Sequence, residues 1–178
     1  MILRRVLLVF ALGGVVWAAI LVVGLLAGVR LLPMAVAAPV GAALVFPAFV
    51  VSVVDRSTLH GPRTRRSGPW RFRRLLGDLP GWAQVVAGGS FFLFWLAGMT
   101  AFAGVGGSAG IRDGQYVLDN HGVVTVVDKA TYERQLGLEQ RIFLSGFGAF
   151  GVGGATLLAG SIARPRHGPD SDAVSTGQ

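Results

Sequence analysis

Four long stretches of the chain contain no ionisable side chain, and they constrain its fold more than any other feature. They cover residues 6–29, 31–54, 79–111 and 142–163. A helix needs about 20 consecutive apolar residues to cross the hydrocarbon core of a membrane. Within lipid, only helices and closed barrels satisfy all their backbone hydrogen bonds internally. The stretches therefore predict four membrane-spanning helices, at about residues 6–29, 33–54, 82–105 and 142–163.

The composition supports a membrane location independently. Of the 178 residues, 52% are hydrophobic and only 14% are charged, which leaves too few polar side chains for a water-facing surface. Residues 1–163 are therefore expected to form a single membrane domain. The chain has no cysteine, so disulfides, thiolate metal ligands and cysteine nucleophiles are excluded.

A cleaved signal peptide is the alternative interpretation of the first stretch. Residues 1–5 are basic, and the small residues at 35–37 resemble a cleavage site. The apolar core of a signal peptide is about 7 to 15 residues long, however, and this stretch is longer and merges with the next one. A retained first span is therefore predicted.

The distribution of basic residues predicts the orientation. Arg4 and Arg5, seven arginines between residues 56 and 74, and Arg164 with Arg166 would lie on one side of the membrane. Only five of the sixteen basic residues would lie on the other side. The positive-inside rule then places both termini in the cytoplasm.

Small residues recur four positions apart within the predicted spans, which places them on one face of each helix. Such spacing lets two helix backbones approach closely in a membrane. The residues predicted to pack in this way are Gly24, Gly28, Ser145, Ala149 and Gly153. Packing within the bundle is the favoured role, and homo-oligomerisation through the same face is the alternative.

The predicted inner loop, residues 55–80, contains a basic amphipathic segment. Apolar residues from Phe72 to Leu79 recur at helical spacing, and Pro69 suits the start of a helix. Such a helix would lie at the inner headgroup region, with Trp70 and Trp82 as interface anchors. The residues expected to contact anionic lipid headgroups are Arg63, Arg65, Arg66, Arg71, Arg73 and Arg74. Nucleic-acid or protein docking is the disfavoured alternative for these arginines, and no nucleic-acid partner is predicted.

Residues 106–141, which we call the cap, are predicted to fold on the external side. Two β-prone runs at 115–118 and 123–127 flank a turn at residues 119–122, which indicates a hairpin. A type I turn is expected, with Gly122 alone in the left-handed conformation. Asp128 is expected to cap a helix that starts near Lys129 and continues without a break into the fourth span. The cap residues singled out are Tyr116, Asp119, Asn120, His121, Gly122 and Asp128.

The sequence contains no convincing constellation for catalysis or metal binding. His121 lies near Asp113, Asp119 and Asn120, but no second histidine at ligand spacing accompanies them. These residues are better explained by turn chemistry. We therefore predict no catalytic residue, no metal site and no cofactor.

One resemblance rests on the run G-Q-Y-V-L-D-N-H-G at residues 114–122, on V-V-D-K-A-T-Y-E at 126–133 and on R-I-F at 141–143. These segments resemble an external region of small four-span integral membrane proteins of the actinobacterial type, which have no assigned activity. The resemblance implies a bacterial inner-membrane protein and implies no reaction. The preference for arginine, with a single lysine, and the abundance of alanine, glycine and valine also fit a high-GC bacterium.

Three classes of function remain open. The favoured one is a non-enzymatic, partner-binding accessory or immunity-type protein that uses the cap to bind a membrane or extracytoplasmic protein. The second is a small transporter or oligomeric channel subunit with hydroxyl side chains along its path. The third is an enzyme acting on lipid at the inner surface, for which only Asp55, His60 and Asp78 would qualify.

The predicted fold is thus that of an all-α membrane protein. It combines a four-transmembrane-helix bundle with a small external β-hairpin and an interfacial amphipathic helix. Residues 164–178 are polar and rich in glycine, proline, aspartate and serine, which predicts a disordered cytoplasmic tail.

Overall fold

Four long helices and one small antiparallel sheet make up the regular structure. The computed structural model describes residues 2–58 and 79–163. The elements are α1 (Ile2–Leu26), α2 (Met34–Thr58), α3 (Gly81–Phe102), β1 (Ser108–Arg112), β2 (Gln115–Asn120), β3 (Val123–Val126) and α4 (Lys129–Ala163). Each helix is long and apolar enough to cross a membrane, as the charge-free stretches predict.

Several predictions concern residues outside the described ranges. They are the inner amphipathic helix with Trp70, its six arginines, and the tail at residues 164–178. The side chains of Asp55 and Arg56 at the end of α2 lie outside them as well. These features therefore remain predictions.

A tight turn joins α1 to α2. The Val29 amide donates to the Gly24 carbonyl at 2.8 Å, and the Gly28 amide donates to the Leu25 carbonyl at 3.1 Å. With Gly28 at φ 77°, these two bonds form a Schellman motif, which satisfies carbonyls that the helix end leaves free. Gly28 therefore terminates α1 and does not lie on a helix-packing face, which corrects the role predicted for it. A Cβ at Gly24 would meet the Leu31 side chain at 3.1 Å, so the turn fills that space.

Helix α4 lies at the centre of the bundle. It packs against α1, α2 and α3, whereas α3 packs almost entirely against α4. Its buried residues Leu144 and Val152 contribute to one apolar cluster with α1, α2 and α3, and Ala155 and Leu158 contribute to a second with α1 and α2. A central helix has neighbours on most of its faces, so small residues are needed around much of its circumference.

Glycines of α4 accommodate side chains of the surrounding helices. A Cβ at Gly148 would overlap the Phe94 ring of α3, and a Cβ at Gly151 would lie 2.9 Å from Cγ2 of Val15 in α1. Interiors are close-packed, so a methyl group at either position would displace its neighbour. These two glycines lie at the tightest contacts of α4.

The small residues predicted for packing in α4 differ in their surroundings. Ser145 is buried against α3, where a Cβ at Gly98 would lie 3.2 Å from the Ser145 Cβ. Ala149 packs at the margin of the first apolar cluster. A Cβ at Gly153, by contrast, would meet no described atom within 4 Å. The close approach predicted at Gly153 is therefore found at Gly148 and Gly151 instead, because the surrounding helices determine which face is crowded.

The sheet has three strands in the order β1-β2-β3, and both pairs are antiparallel. The predicted hairpin is present as β2 and β3, with Val117 opposite Val126. The prediction of a two-stranded hairpin is nevertheless incomplete, because β1 pairs along the whole of β2 up to Asp119. A third strand gives a small sheet the stability that an isolated hairpin lacks in water.

Both connections within the sheet are two-residue turns. Asp113 and Gly114 join β1 to β2 with φ of 52° and 77°, and His121 and Gly122 join β2 to β3 with φ of 52° and 89°. Positive φ at both central positions is the type I′ geometry, which matches the right-handed twist of paired strands. The expected type I turn is therefore wrong, because His121 shares the left-handed conformation with Gly122.

Candidate functional site

The first turns of α4 belong to the cap and support its sheet. At 1.5 Å per residue, the 35 residues of α4 extend about 52 Å, whereas about 20 residues are enough to cross a hydrocarbon core. All charged residues of α4 lie between residues 129 and 141. The charged third of α4 therefore extends beyond its apolar part and carries the sheet at its side.

Asp128 fixes the start of α4. Its Oδ1 accepts a hydrogen bond from the Thr131 amide at 2.7 Å, which satisfies one of the free donors of the first helical turn. Hydrogen bonds from the Thr131 side chain and then from its amide hold the pKa of Asp128 below its ordinary value. The carboxylate form is the form that caps the helix.

Gln135 joins α4 to the segment before β1. Its Nε2 donates to the Gly107 carbonyl at 2.6 Å, and its Oε1 accepts from the Gly106 amide at 3.3 Å. Only 4% of Gln135 is exposed, so both ends of its amide need these partners. The contact fixes the entry to β1 against the helix.

Glu139 lies one helical turn further along the same face of α4. Its Oε1 accepts a hydrogen bond from the Ala109 amide at 2.9 Å. In the β1–β2 ladder the Ala109 amide points away from β2, toward the outer edge of the sheet. A helix side chain therefore covers the edge of β1 at this residue.

Apolar and aromatic contacts complete the junction of sheet and helix. The rings of Tyr116 in β2 and Tyr132 in α4 have centroids 4.8 Å apart. Val117 is 3% exposed, although it lies in a small sheet near the surface. Gln140, at the lower end of the junction, donates to the Leu32 carbonyl at 2.9 Å and so ties α4 to the α1–α2 turn. The cap is a packed unit fixed to the bundle.

Asp119 stabilises the β2–β3 turn. Its Oδ1 accepts from the Gly122 amide at 2.9 Å, while its Oδ2 pairs with Nη2 of Arg112 at 2.6 Å. Asn120 and His121 at the tip are exposed. The predicted cap residues of this turn therefore lie together, and they form the turn itself. Among residues 2–58 and 79–163, histidine and acidic side chains do not gather in the groups of three that a metal ion needs.

Strand β3 is exposed on every residue. Val126 is 60% exposed, although it shares a sheet face with the buried Val117, its cross-strand partner. Val124 lies two residues away on that same face and is exposed too. This face of the sheet is therefore buried at Val117 and exposed at the two valines of β3.

The outer edge of β3 is also free. The Val127 amide donates to the Tyr116 carbonyl at 2.9 Å, so the alternating ladder points the backbone groups of Val124 and Val126 away from β2. Within the described part of the chain, β3 pairs with β2 alone. Of the two sheet edges, β1 is bound by Glu139 at Ala109, and β3 has no partner on its outer side among the described residues.

Three hydroxyl side chains within the apolar helices bond to carbonyls of their own helices, whereas the buried Oγ of Ser145 has no hydrogen-bond partner among the described residues. Ser52 donates to the Ala48 carbonyl at 2.6 Å, and Thr156 donates to the Val152 carbonyl at 2.7 Å. Ser161 donates to the Leu158 carbonyl in the same manner. Hydroxyls bonded in this way are occupied by the helix and do not by themselves line a path.

The remaining predicted site residue in the described ranges is Trp82. It is the second residue of α3, and 72% of it is exposed. An indole at the end of an apolar helix suits the membrane–water interface, where its ring contacts lipid and its N–H contacts water.

The residues that hold the cap in place, Gln135 and Glu139, are absent from the sequence prediction. Their spacing of four on a predicted helix was the available signal, since it places two polar side chains on one face. The dipeptide Asp113-Gly114 was the signal for β1, because Asp-Gly favours a type I′ hairpin turn. Neither signal specifies which residues come into contact. The backbone partners of Gln135 and Glu139 lie about 30 residues away along the chain.

No protein-family model, curated protein or solved structure matches the chain. The resemblance of residues 114–143 to small four-span bacterial proteins therefore stays a prediction. The geometry of the cap is the basis for the function proposed next.

Proposed function

We propose that the chain is a non-enzymatic, multi-pass protein of the bacterial inner membrane that binds a partner protein through β3 of the cap. The partner contributes an extended segment that pairs with the open edge of β3. In this role the protein is an accessory or immunity-type protein, and its bundle is the anchor. The observation that carries the proposal is the fully exposed β3 edge on a cap that α4 holds rigidly.

Pairing with a partner strand accounts for two properties of β3, its exposed outer edge and its exposed valines. An extended peptide would bond to the outward backbone groups of Val124 and Val126, which is the basis of recognition by β-augmentation. Side chains of the same peptide would cover the exposed valines. Soluble sheets usually protect a free edge with charge, proline or a bulge, and β3 carries none of these. An edge left in this state is suited to a partner strand.

The four apolar helices support membrane insertion, and the distribution of the arginines supports the orientation. Eleven of sixteen basic residues belong to the termini and the α2–α3 connection, which the positive-inside rule places in the cytoplasm. The cap then lies on the extracytoplasmic side. Because the chain has no cysteine, a single cysteine at His121 should react with a membrane-impermeant maleimide in intact cells, and one at Gln178 should not.

Photo-crosslinking from β3 in living cells tests the partner site. A photoreactive residue at Val126 should give a reproducible protein adduct, identified by mass spectrometry. Val124→Pro should abolish that adduct, because proline removes only an outward N–H and tolerates an edge position. Val124→Thr keeps this N–H and is the matched control. If the only adducts are the chain itself and lipid, or if Val124→Pro leaves the adduct intact, the partner site is refuted.

A transporter or channel subunit is the alternative function. The hydroxyls of Ser52, Thr156 and Ser161 bond to their own helices, so they give this alternative no specific support. Measurable flux across proteoliposomes that contain the purified protein would favour it over partner binding.

A further inference from the structure

Arg141 is a cation at the boundary between the charged and apolar parts of α4. From residue 142 to residue 163 the helix has no ionisable side chain, a distance of about 33 Å at 1.5 Å per residue. This length matches the hydrocarbon thickness of a bilayer, about 30 Å. If α4 spans the membrane, Arg141 lies at the level of the headgroups beneath the cap.

The guanidinium group of Arg141 faces α3. Its Nη2 donates to Oγ1 of Thr100 at 3.3 Å. The Thr100 hydroxyl itself donates to the carbonyls of Leu96 and Ala97 at 3.0 Å and 3.1 Å, so toward Arg141 it acts only as an acceptor. The two side chains form a polar site between the outer ends of α3 and α4.

Within the described residues, no acidic side chain forms an ion pair with Arg141. Its Nε is buried and has no hydrogen-bond partner among the described residues. In the same part of the chain the ion pairs are Arg112 with Asp119 and Lys129 with Glu133, and neither includes Arg141. A guanidinium group has five N–H donors, and a buried donor is costly unless it is hydrogen-bonded. The site therefore calls for an anion with several oxygen atoms.

Exposed apolar side chains lie at the same level of the two helices as Arg141 and Thr100. They are Phe143 in α4 and Met99 and Phe102 in α3. An anion carrying hydrocarbon chains would place its oxygens on the guanidinium group and its chains along the apolar parts of α3 and α4, which begin at this level. A free inorganic anion would contact only the guanidinium group.

We propose that Arg141 and Thr100 bind the phosphate group of a phospholipid in the leaflet beneath the cap. The planar guanidinium group matches a phosphate in the bidentate geometry that makes such bonds strong and directional. The site is separate from the inner arginine-rich segment at residues 56–74 and from β3. It rests on the proposed membrane insertion and is independent of the partner.

Native mass spectrometry of the full-length protein in detergent tests the site with phosphatidylglycerol as the probe. Arg141→Gln should weaken the tightest binding step about tenfold, the effect of losing one charge-assisted hydrogen bond. Arg141→Lys should weaken it less. Arg134→Gln removes an exposed arginine two turns away on the same helix and should change nothing. Equal binding by Arg141→Gln and the unmodified protein would overturn the proposal.

A second measurement locates the lipid and separates it from free phosphate. Phosphatidylglycerol with a photoreactive headgroup should crosslink to residues 97–102 or 141–145 in nanodiscs, and Arg141→Gln should lose these peptides while keeping any from residues 56–74. Inorganic phosphate at millimolar concentration should not compete. Full competition would identify a site for free phosphate and refute the lipid, and crosslinks confined to residues 56–74 would refute the site. The protein adducts formed by a photoreactive residue at Val126 test the proposed function separately, and neither lipid measurement bears on them.

Discussion

Glu139 of α4 accepts a hydrogen bond from the Ala109 amide of β1 at 2.9 Å, and this contact makes the two edges of the sheet different. The edge of β1 is bound at Ala109 by a helix side chain, whereas the outer edge of β3 has no partner in the described part of the chain. An exposed strand edge is a template for pairing with another chain. The difference therefore directs any strand addition to β3.

Removal of the Glu139 carboxylate should loosen β1. Glu139→Ala leaves the Ala109 amide without its acceptor, and a hydrogen bond to a charged group contributes about 1.5–3 kcal/mol. Hydrogen exchange at the Ala109 amide should become about tenfold faster or more. Glu133→Ala, which removes only an exposed pair with Lys129 at 3.7 Å, should leave that amide unchanged. Equal protection in both variants would contradict the structural role of Glu139.

Two glycines of α4 should respond in opposite directions to the same substitution. Gly148→Ala places a methyl group into the Phe94 ring and should lower the free energy of unfolding in micelles by about 1–3 kcal/mol. Gly153→Ala meets no described atom and should raise it by up to about 1 kcal/mol, the difference in helix propensity. SDS titration of the purified protein measures both values. Phe94→Leu in the Gly148→Ala background should restore stability, and failure to do so would show that the clash is not the cause.

The stabilisation of the first turn of α4 by Asp128 should depend on pH in the acid range. Because the folded pKa of Asp128 lies below its ordinary value, the carboxylate contributes its full stabilisation above the ordinary aspartate pKa of about 3.9. That contribution is lost as the pH falls through the lowered folded pKa. Protection of the Thr131 amide should fall over this range in the unmodified protein. Asp128→Ala should lack the protection at every pH, whereas Asp128→Asn should retain it without the pH dependence; a pH response that survives in Asp128→Asn would point to another group.

The turn between β2 and β3 should reject a side chain at Gly122. This residue has φ of 89°, where an L-residue is strained, so Gly122→Ala should destabilise the β2–β3 pair by about 1–2 kcal/mol. Exchange of the Thr125 amide reports the effect. Gly106→Ala is the matched control, since a Cβ there meets no described atom and its φ is not in the left-handed region. If both variants behave alike, turn strain is not the determinant.

The four helices and the β2–β3 pairing follow patterns that are local in the sequence. A run without charges predicts a long apolar helix from its own residues, and alternation around a Gly-containing turn predicts a hairpin. The continuity of α4 from Lys129 is local too, because Asp128 supplies the cap within three residues. These features need no knowledge of distant partners.

The features that the sequence did not predict depend on contacts between distant residues. Gly153 has small residues at four-residue spacing and Gly148 does not, yet the position of Phe94 in α3 makes Gly148 the crowded one. Gln135 and Glu139 resemble ordinary surface residues of a helix until β1 lies against them. Gly28 has the spacing of a packing glycine, yet α1 ends two residues before it.

By itself, the sequence determined that the chain contains four helices able to cross a membrane and a polar cap between the last two. The absence of charge over about 20 residues is sufficient for the first conclusion, since backbone and side chains are then satisfied within each segment. Only the tertiary structure decided that α4 is central, that Glu139 binds the edge of β1 at Ala109, and that Arg141 meets Thr100. Each of these depends on the close approach of elements far apart in the chain, which periodicity along a single helix or strand does not specify.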